Sequence, residues 1–352
     1  MQSSLQTSNY NHTITGLRGF LAISVVLYHV YTGSVDDHIL SKDYLPAIGP
    51  TLGPLAVNLF FVISGYLITL SLIRHKKIRN FVIDRVLRIY PVFFIIHLLI
   101  FIAGPMIHYS WFDNITVQEY ILNFFSNLFL LPGVFDLPIA QIVAWSLSFE
   151  AAFYIVISMY YFIFTKRGKW TILVPLPLTI SLYLVYEHPA FWFFVAGILL
   201  SISNVSSRIP VLTKFDGLVF LVLAYICYDP SFIYWSLLFS FFFFNTLVKQ
   251  VGVVSNILSA TLFQYLGKIS YSLYLWHTFV MFPIKRIVLK LQLPNEWLAL
   301  AVFGIVSIIL SVIISNYSYK LVEYKFTSWV KRKLKKPVVP SSLQTNNIEQ
   351  FS

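Results

Sequence analysis

The stretch Thr15-Gly-Leu-Arg-Gly-Phe-Leu-Ala-Ile-Ser-Val-Val-Leu-Tyr-His29 decides how this chain folds. It reads as the start of a membrane-crossing helix, yet it carries an arginine near one end and a histidine eleven residues later. At ~100° and ~1.5 Å per residue this is about three turns, so Arg18 and His29 share a face roughly 16 Å apart along the axis. A cation and an imidazole in lipid are costly unless they face a protein interior or a water-filled cavity. Two readings stand at this point. Either the arginine snorkels to the interface and a neighbouring helix satisfies the histidine, or both look into the protein and work there.

The rest of the composition agrees with a membrane setting. Of 352 residues, 58% are hydrophobic, 18% aromatic and only 11% charged, less than half the charged fraction of about 25% in a soluble domain. Apolar runs long enough to cross a bilayer recur near 14–33, 52–73, 86–108, 140–164, 171–186, 190–204, 216–229, 231–248, 263–284 and 296–318. The expected class is therefore all-α: a polytopic membrane protein of about ten transmembrane helices, with a polar segment 1–13, a membrane domain 14–326 and a basic, disordered tail 327–352. A net charge of +11 would suggest nucleic acid in a soluble chain. Here the Lys and Arg gather in short loops and in the tail, the orientation signal of a membrane protein, so no nucleic-acid partner is expected. No cleavable leader and no appended soluble domain are expected either.

Arg74, Lys76, Lys77, Arg79, Arg85 and Arg88 between the second and third runs, and Lys331 to Lys336 in the tail, put both termini in the cytoplasm. Asp36, Asp37 and Asp43 in loop 34–51, and a loop 109–139 without Lys or Arg, fit the far side. Lys285, Arg286 and Lys290 resist this scheme, because they follow the ninth run on the outer side. The segment 117–131 is amphipathic and is expected to lie in the interface or dip back into the membrane. The single cysteine, Cys227, excludes an intramolecular disulfide and a cysteine metal site.

Polar residues inside apolar runs carry the chemistry. In Asn58-Leu-Phe-Phe-Val-Ile-Ser-Gly-Tyr66, the pair Ser64-Gly65 permits a close helix approach. In Arg85-Val-Leu-Arg88-Ile-Tyr-Pro91, two arginines three apart are neighbours on a helix and form either a fork for a polyanion or an anchor at the interface. Ala144-Trp-Ser-Leu-Ser-Phe-Glu150 places Glu150, the only acid well inside a run, where it needs a partner or a proton. Arg18 or an arginine of the third run would serve for a structural ion pair; a direct catalytic part is the other reading. In Tyr265-Leu-Gly-Lys-Ile-Ser-Tyr-Ser-Leu-Tyr-Leu-Trp-His277, the residues Ser270, Tyr274 and His277 make one polar stripe. With Ser146 they form either an interhelical seam or an acceptor site. His97 has no such company and is expected to be a packed core histidine.

Together these pieces resemble the acyltransferase-3 family of integral membrane acyltransferases. The matching parts are Arg18 with His29, Phe60-Phe-Val-Ile-Ser-Gly65, Arg85 and Arg88 with Tyr90-Pro91, Trp145-Ser-Leu followed by Glu150, and Tyr271-Ser-Leu-Tyr-Leu-Trp-His277, in the family's order from about residue 14 to 326. Thr15 stands where the family often has Asp, and Glu323-Tyr-Lys-Phe326 where it often has Glu-Arg/Lys-Pro. The resemblance implies transfer of an acyl group, commonly acetyl, from cytoplasmic acyl-CoA to a carbohydrate hydroxyl, with the enzyme in the cytoplasmic (inner) membrane. Acyl-CoA is then a substrate rather than a bound cofactor, no metal is needed, and the acceptor is a cell-surface or lipid-linked glycan.

The spacing suggests a route for the donor. Arg18, Arg85 and Arg88 would hold its phosphates, and its thin arm would carry the thioester to His29. His29 would serve as general base, or as nucleophile through an acyl-histidine, with Glu150 orienting the imidazole or stabilising its charged form. The competing class is a transporter or flippase using Glu150 and the histidines as a proton relay. Such proteins usually carry internal repeats with broken helices, and none is visible in this chain.

Overall fold

The computed structural model describes residues 11–41, 49–74, 78–107, 109–166, 168–202 and 205–334. The described chain is all-helical, its only β-type pairing being an isolated bridge between Pro132 and Phe135. In order come α1 (His12–Asp36), α2 (Gly49–Arg74), α3 (Ile78–Met106), α4 (Val117–Leu128), α5 (Trp145–Lys166), α6 (Pro175–Glu187), α7 (Phe191–Ser201), α8 (Val205–Arg208), α9 (Asp216–Ile226), α10 (Ile233–Val248), α11 (Val253–Leu258), α12 (Thr261–Lys290), α13 (Glu296–Ser318) and α14 (Thr327–Leu334). A π-helical stretch, Tyr319–Phe326, joins the last two.

Helix α1 starts where Asn11 caps it, its side chain accepting from the Ile14 N–H at 3.0 Å. The amide of the same side chain reaches the Leu247 and Val248 carbonyls, tying the start of α1 to the end of α10. From there α1 runs parallel to α12, meeting it first at Arg18 and Ser270 and later at His29 and His277. Glycine makes the seam possible: a Cβ on Gly267 would stand 1.9 Å from the Thr15 carbonyl oxygen, so any side chain there would force the helices apart. A second close pair joins α2 to α7, where a Cβ on Gly65 would lie 2.1 Å from the Phe194 carbonyl oxygen. The close approach expected at Ser64-Gly65 is thus present. One apolar core gathers around α1, α2, α5 and α7, and a second lies between α1, α12 and α13.

Six stretches among the described residues are long and apolar enough to cross a bilayer: α1, Thr51–Arg74, α3, α5, Gly168–Glu187 and Glu296–Leu334. Helices α7, α9 and α10 are apolar but shorter, 11, 11 and 16 residues. An 11-residue helix rises about 16 Å, short of the roughly 30 Å hydrocarbon core. The 30-residue α12 is long enough, but it carries Lys268, Lys285, Arg286 and Lys290. The chain is an integral membrane protein, with large apolar side chains such as Ile102, Ile172 and Ile305 turned outward.

Several expected boundaries move. Helix α3 begins at Ile78 rather than near residue 86, so Arg85 and Arg88 lie inside the helix, two turns and more from its start. Helix α12 extends from 261 to 290 instead of 263 to 284. Residues 327–334, expected in a disordered tail, form α14, which packs back on α3 through a 2.7 Å ion pair from Lys331 to Asp84. Lys76, Lys77, Asp43, residues 1–10 and the tail beyond 334 lie outside the described residues. Two cations that resisted the charge scheme have local partners: Lys285 pairs with Asp37 at the end of α1, and Arg286 donates to the Ile107 carbonyl just past α3, where a helix end favours positive charge.

The expected amphipathic segment is α4, opened by a capping box between Thr116 and Glu119. Its polar side chains Asn123, Ser126 and Asn127 are buried, while Val117, Ile121, Leu122 and Phe125 are exposed. The apolar face therefore points away from the protein, as a helix in contact with lipid requires. Asn127 holds the connection to α5, donating to the Pro138 carbonyl and accepting from the Ala140 N–H.

Candidate active site

The polar residues of five helices converge on a cavity of about 330 Å³. Helix α3 contributes Arg85 and Arg88, which its three-residue spacing turns to one side. The Arg85 guanidinium lies 5.5 Å from the Phe81 ring and 5.9 Å from the Tyr154 ring, and its Nε is buried without a hydrogen-bond partner among the described residues. Arg88 stacks 5.0 Å over Tyr271 and donates from Nη1 to Glu323 at 3.1 Å. Arg18 enters from α1, with Nη2 donating to Ser270 on α12 at 3.1 Å. Three guanidinium groups around one small cavity suit a phosphate-bearing ligand, because each presents planar donors that match phosphate oxygens.

Two carboxylates shape this chamber. Glu150, in the second turn of α5, lines it and accepts from Ser64 at 2.9 Å and from the Tyr154 hydroxyl one turn along its own helix. Glu323 reaches Arg88 from the π-helical stretch and also accepts from the Ser272 hydroxyl at 2.6 Å and backbone N–H at 3.2 Å. The wider π turn is what presents Glu323 here, in keeping with the association of such turns with functional sites.

The far wall is Tyr274. Its hydroxyl pairs with Ser146 at 2.7 Å and donates to the Val143 carbonyl at 3.1 Å, and Phe60 packs across its ring at 6.2 Å. Beyond it lie two histidines. The His277 ring is 6.1 Å from Tyr274 and 5.2 Å from His29, and His29 rests against Tyr28 at 5.0 Å. His277 is fully buried, with Nδ1 3.1 Å from the Leu273 carbonyl. His29 is half-buried.

The residues singled out from the sequence thus form one stack rather than scattered features. Arg18, Arg85, Arg88, Glu150, Ser146 and Tyr274 line the cavity, and His277 and His29 follow behind it. The expected stripe Ser270, Tyr274, His277 is real, each member facing a different partner: Arg18, Ser146 and His29. One expectation is corrected. Glu150 does not stand beside His29; its partners are Ser64 and Tyr154. It lies four residues past Ser146 on α5, about 6 Å further toward the arginines, because α5 crosses α12 at Tyr274 and runs away from the histidines. Sequence reading also missed Glu323 and Tyr154 as parts of the site. The i, i+4 spacing of Glu150 and Tyr154 was available as a signal, and so was the family pattern around Glu323. His97 is the packed core histidine expected, enclosed by Phe93, Phe101 and Phe124.

The family model described as an acyltransferase domain, Acyl_transf_3, matches residues 11–316, which include every residue of the stack but not Glu323 beside it. The chain belongs to the acyltransferase-3 family. It is an integral membrane acyltransferase. It is 25% identical over 300 residues to "Putative acetyltransferase ORF330" of Acidianus two-tailed virus, covering 79% of this chain and 85% of the viral protein. It is 25% identical over 372 residues to "Putative O-acetyltransferase SAS0844" of Staphylococcus aureus, and 24% identical over 365 residues to "Peptidoglycan O-acetyltransferase OatA" of Listeria monocytogenes. Those two alignments cover 90% and 89% of this chain but 57% and 55% of the relatives, so this acyltransferase spans little more than half of their length. No solved structure matches it.

Proposed function

We propose that this acyltransferase is an O-acetyltransferase that moves an acetyl group from acetyl-CoA to a hydroxyl of a cell-surface or lipid-linked carbohydrate, with His29 as general base. The observation that carries the reading is the stack itself: a chamber of three arginines at one end and a pair of histidines behind Tyr274 at the other. Acyl-CoA has the matching polarity, with anionic phosphates at one end and a thioester at the tip of a long thin arm. The roughly 16 Å between Arg18 and His29 along α1 is comparable to the reach of that arm. The names of the staphylococcal and Listeria relatives support an oxygen acceptor and, for OatA, a glycan.

In this reading Arg85 and Arg18 take the phosphates directly. Arg88 is held by Glu323 and Tyr271 and adds charge from a fixed position. The arm passes Phe60, whose ring carries no hydrogen bond, while Tyr274 is tied to Ser146 and Val143. His29 accepts the proton of the acceptor hydroxyl as its oxygen attacks the thioester carbon. The C–S bond breaks, and the proton passes to the departing thiolate. Glu150 serves the arginine end, where its negative charge balances the cluster when the site is empty. The arginine end faces the cytoplasm by the distribution of positive charge, and the enzyme resides in the cytoplasmic membrane.

The test is release of free CoA from acetyl-CoA by membranes holding the protein, with and without a sugar acceptor, for wild type and His29→Ala. Acceptor-dependent CoA release by wild type and none by the inserted variant supports the proposal. Undiminished acetylation by His29→Ala would sink it. Ping-pong kinetics with a trapped acyl group on His29 would replace the general-base step by the acyl-histidine route.

A further inference from the structure

His277 sits in the middle of α12, fully buried, with its ring toward α1. Its Nδ1 lies 3.1 Å from the Leu273 carbonyl one turn earlier. A carbonyl oxygen only accepts, so in the neutral ring Nδ1 carries the proton and Nε2 is left as a bare acceptor. That Nε2 is enclosed and has no hydrogen-bond partner among the described residues. Buried polar atoms are almost always paired, so this acceptor, set beside a second imidazole, calls for a donor from the groups around it.

Two polar rings lie close enough to supply one. Tyr274, at 6.1 Å, has its hydroxyl committed to Ser146 and Val143. His29, at 5.2 Å and tilted by 37°, is half-buried and always has at least one ring N–H to give. We infer that His277 is the positioning residue of His29: its Nε2 takes the His29 N–H, fixes one tautomer and turns the other His29 nitrogen, with its lone pair, toward the acceptor hydroxyl. The inference rests on the reading of His29 as the base.

The pairing keeps the reaction balanced. During attack the hydroxyl proton moves to the free His29 nitrogen, and the other N–H of the resulting imidazolium keeps donating to His277 Nε2 until the first proton leaves with the thiolate. His277 stays neutral throughout. In a catalytic triad a carboxylate orients the base; a neutral imidazole does the same work here without bringing a second charge into the apolar part of the bundle. This accounts for Glu150 lying with the arginines instead.

The test compares His277→Phe, which keeps a ring and removes the acceptor, with His277→Gln, whose carboxamide oxygen reaches the place of Nε2. The expected result is a kcat about 10–100-fold lower for His277→Phe with an unchanged KM for acetyl-CoA, and recovery of most of that loss in His277→Gln. A packing role gives the opposite order, with the phenyl ring tolerated better than the amide, and that order overturns the inference. His29→Ala is assayed beside them. If it is inactive while His277→Phe matches wild type, the inference fails and the base survives; if it is active, the base reading itself has failed. A measurement on wild type covers variants that do not fold. Solid-state NMR of ¹⁵N-histidine protein, with His29 assigned by the signal lost in His29→Ala, should show a single neutral tautomer, and an equal mixture overturns the inference.

Discussion

At the Arg18 end of the α1–α12 seam, charge meets charge or hydroxyl: Arg88 with Glu323, Arg18 with Ser270, Glu150 with Ser64 and Tyr154. Eleven residues along the same helix, His29 and His277 face each other, and among the described residues no carboxylate bonds either ring and the acceptor nitrogen of His277 has no donor. The first region is a cluster of charged groups whose partners orient them. The second is a pair of imidazoles set against an aromatic ring and an apolar stretch of helix. One helix can carry both because its 3.6-residue period puts positions 18 and 29 on one face at two depths.

The sharpest way to break this contrast is to remove the imidazole from the neutral end. His29→Ala is expected to lower kcat by about 10²–10⁴-fold with normal membrane insertion, measured as acceptor-dependent CoA release against protein quantified in the membrane. Next comes the charged end. Arg85→Ala with Arg88→Ala removes one charge-assisted contact of about 1.5–3 kcal/mol at Arg85 and the fixed charge of Arg88, so the KM for acetyl-CoA should rise by at least about tenfold. An unchanged KM together with misfolding would make the pair an anchor only. A smaller effect follows from Glu323→Ala, which leaves Arg88 without its carboxylate. Arg88 is 35% exposed, so solvent screens much of the loss, and detergent-solubilised protein should lose about 1–2 kcal/mol of stability in a thermal unfolding assay. Retained stability would mean that remaining contacts, such as the 2.9 Å hydrogen bond from Ser272 to Ser318, hold the π turn without the ion pair.

The smallest effect lies outside both regions, at α4. Backbone and then side-chain hydrogen bonds from Thr116 hold the Glu119 carboxyl below its usual range. A depressed folded value means that its contribution is complete above the ordinary carboxylate pKa and is lost as pH falls through the lowered one. Amide protection factors at 117–120, with exchange corrected for its intrinsic pH dependence, should therefore drop only on acidification into that window. In Glu119→Gln they should be lower at neutral pH and insensitive to the change.

Much of the site was legible before any tertiary contact was known. An apolar helix that carries Arg18 and His29, a fork at Arg85 and Arg88, an acid at 150 and a stripe at 270, 274 and 277 all follow from spacing, because helical geometry relates residues a few positions apart. The all-α membrane class follows from run length and the scarcity of charge. What the sequence could not decide is which faces meet. Arg88 finds Glu323 across 235 positions, Arg18 finds Ser270 across 252, and His29 meets His277 on a helix that begins more than 200 residues later. Those meetings depend on where helices cross. The crossings are set by contacts such as Gly267 on Thr15 and Gly65 on Phe194, where the absence of a side chain lets two backbones touch. Glu150 shows the consequence. Its depth in the membrane was plain from the sequence, but the crossing of α5 over Tyr274 put it with the arginines instead of beside His29.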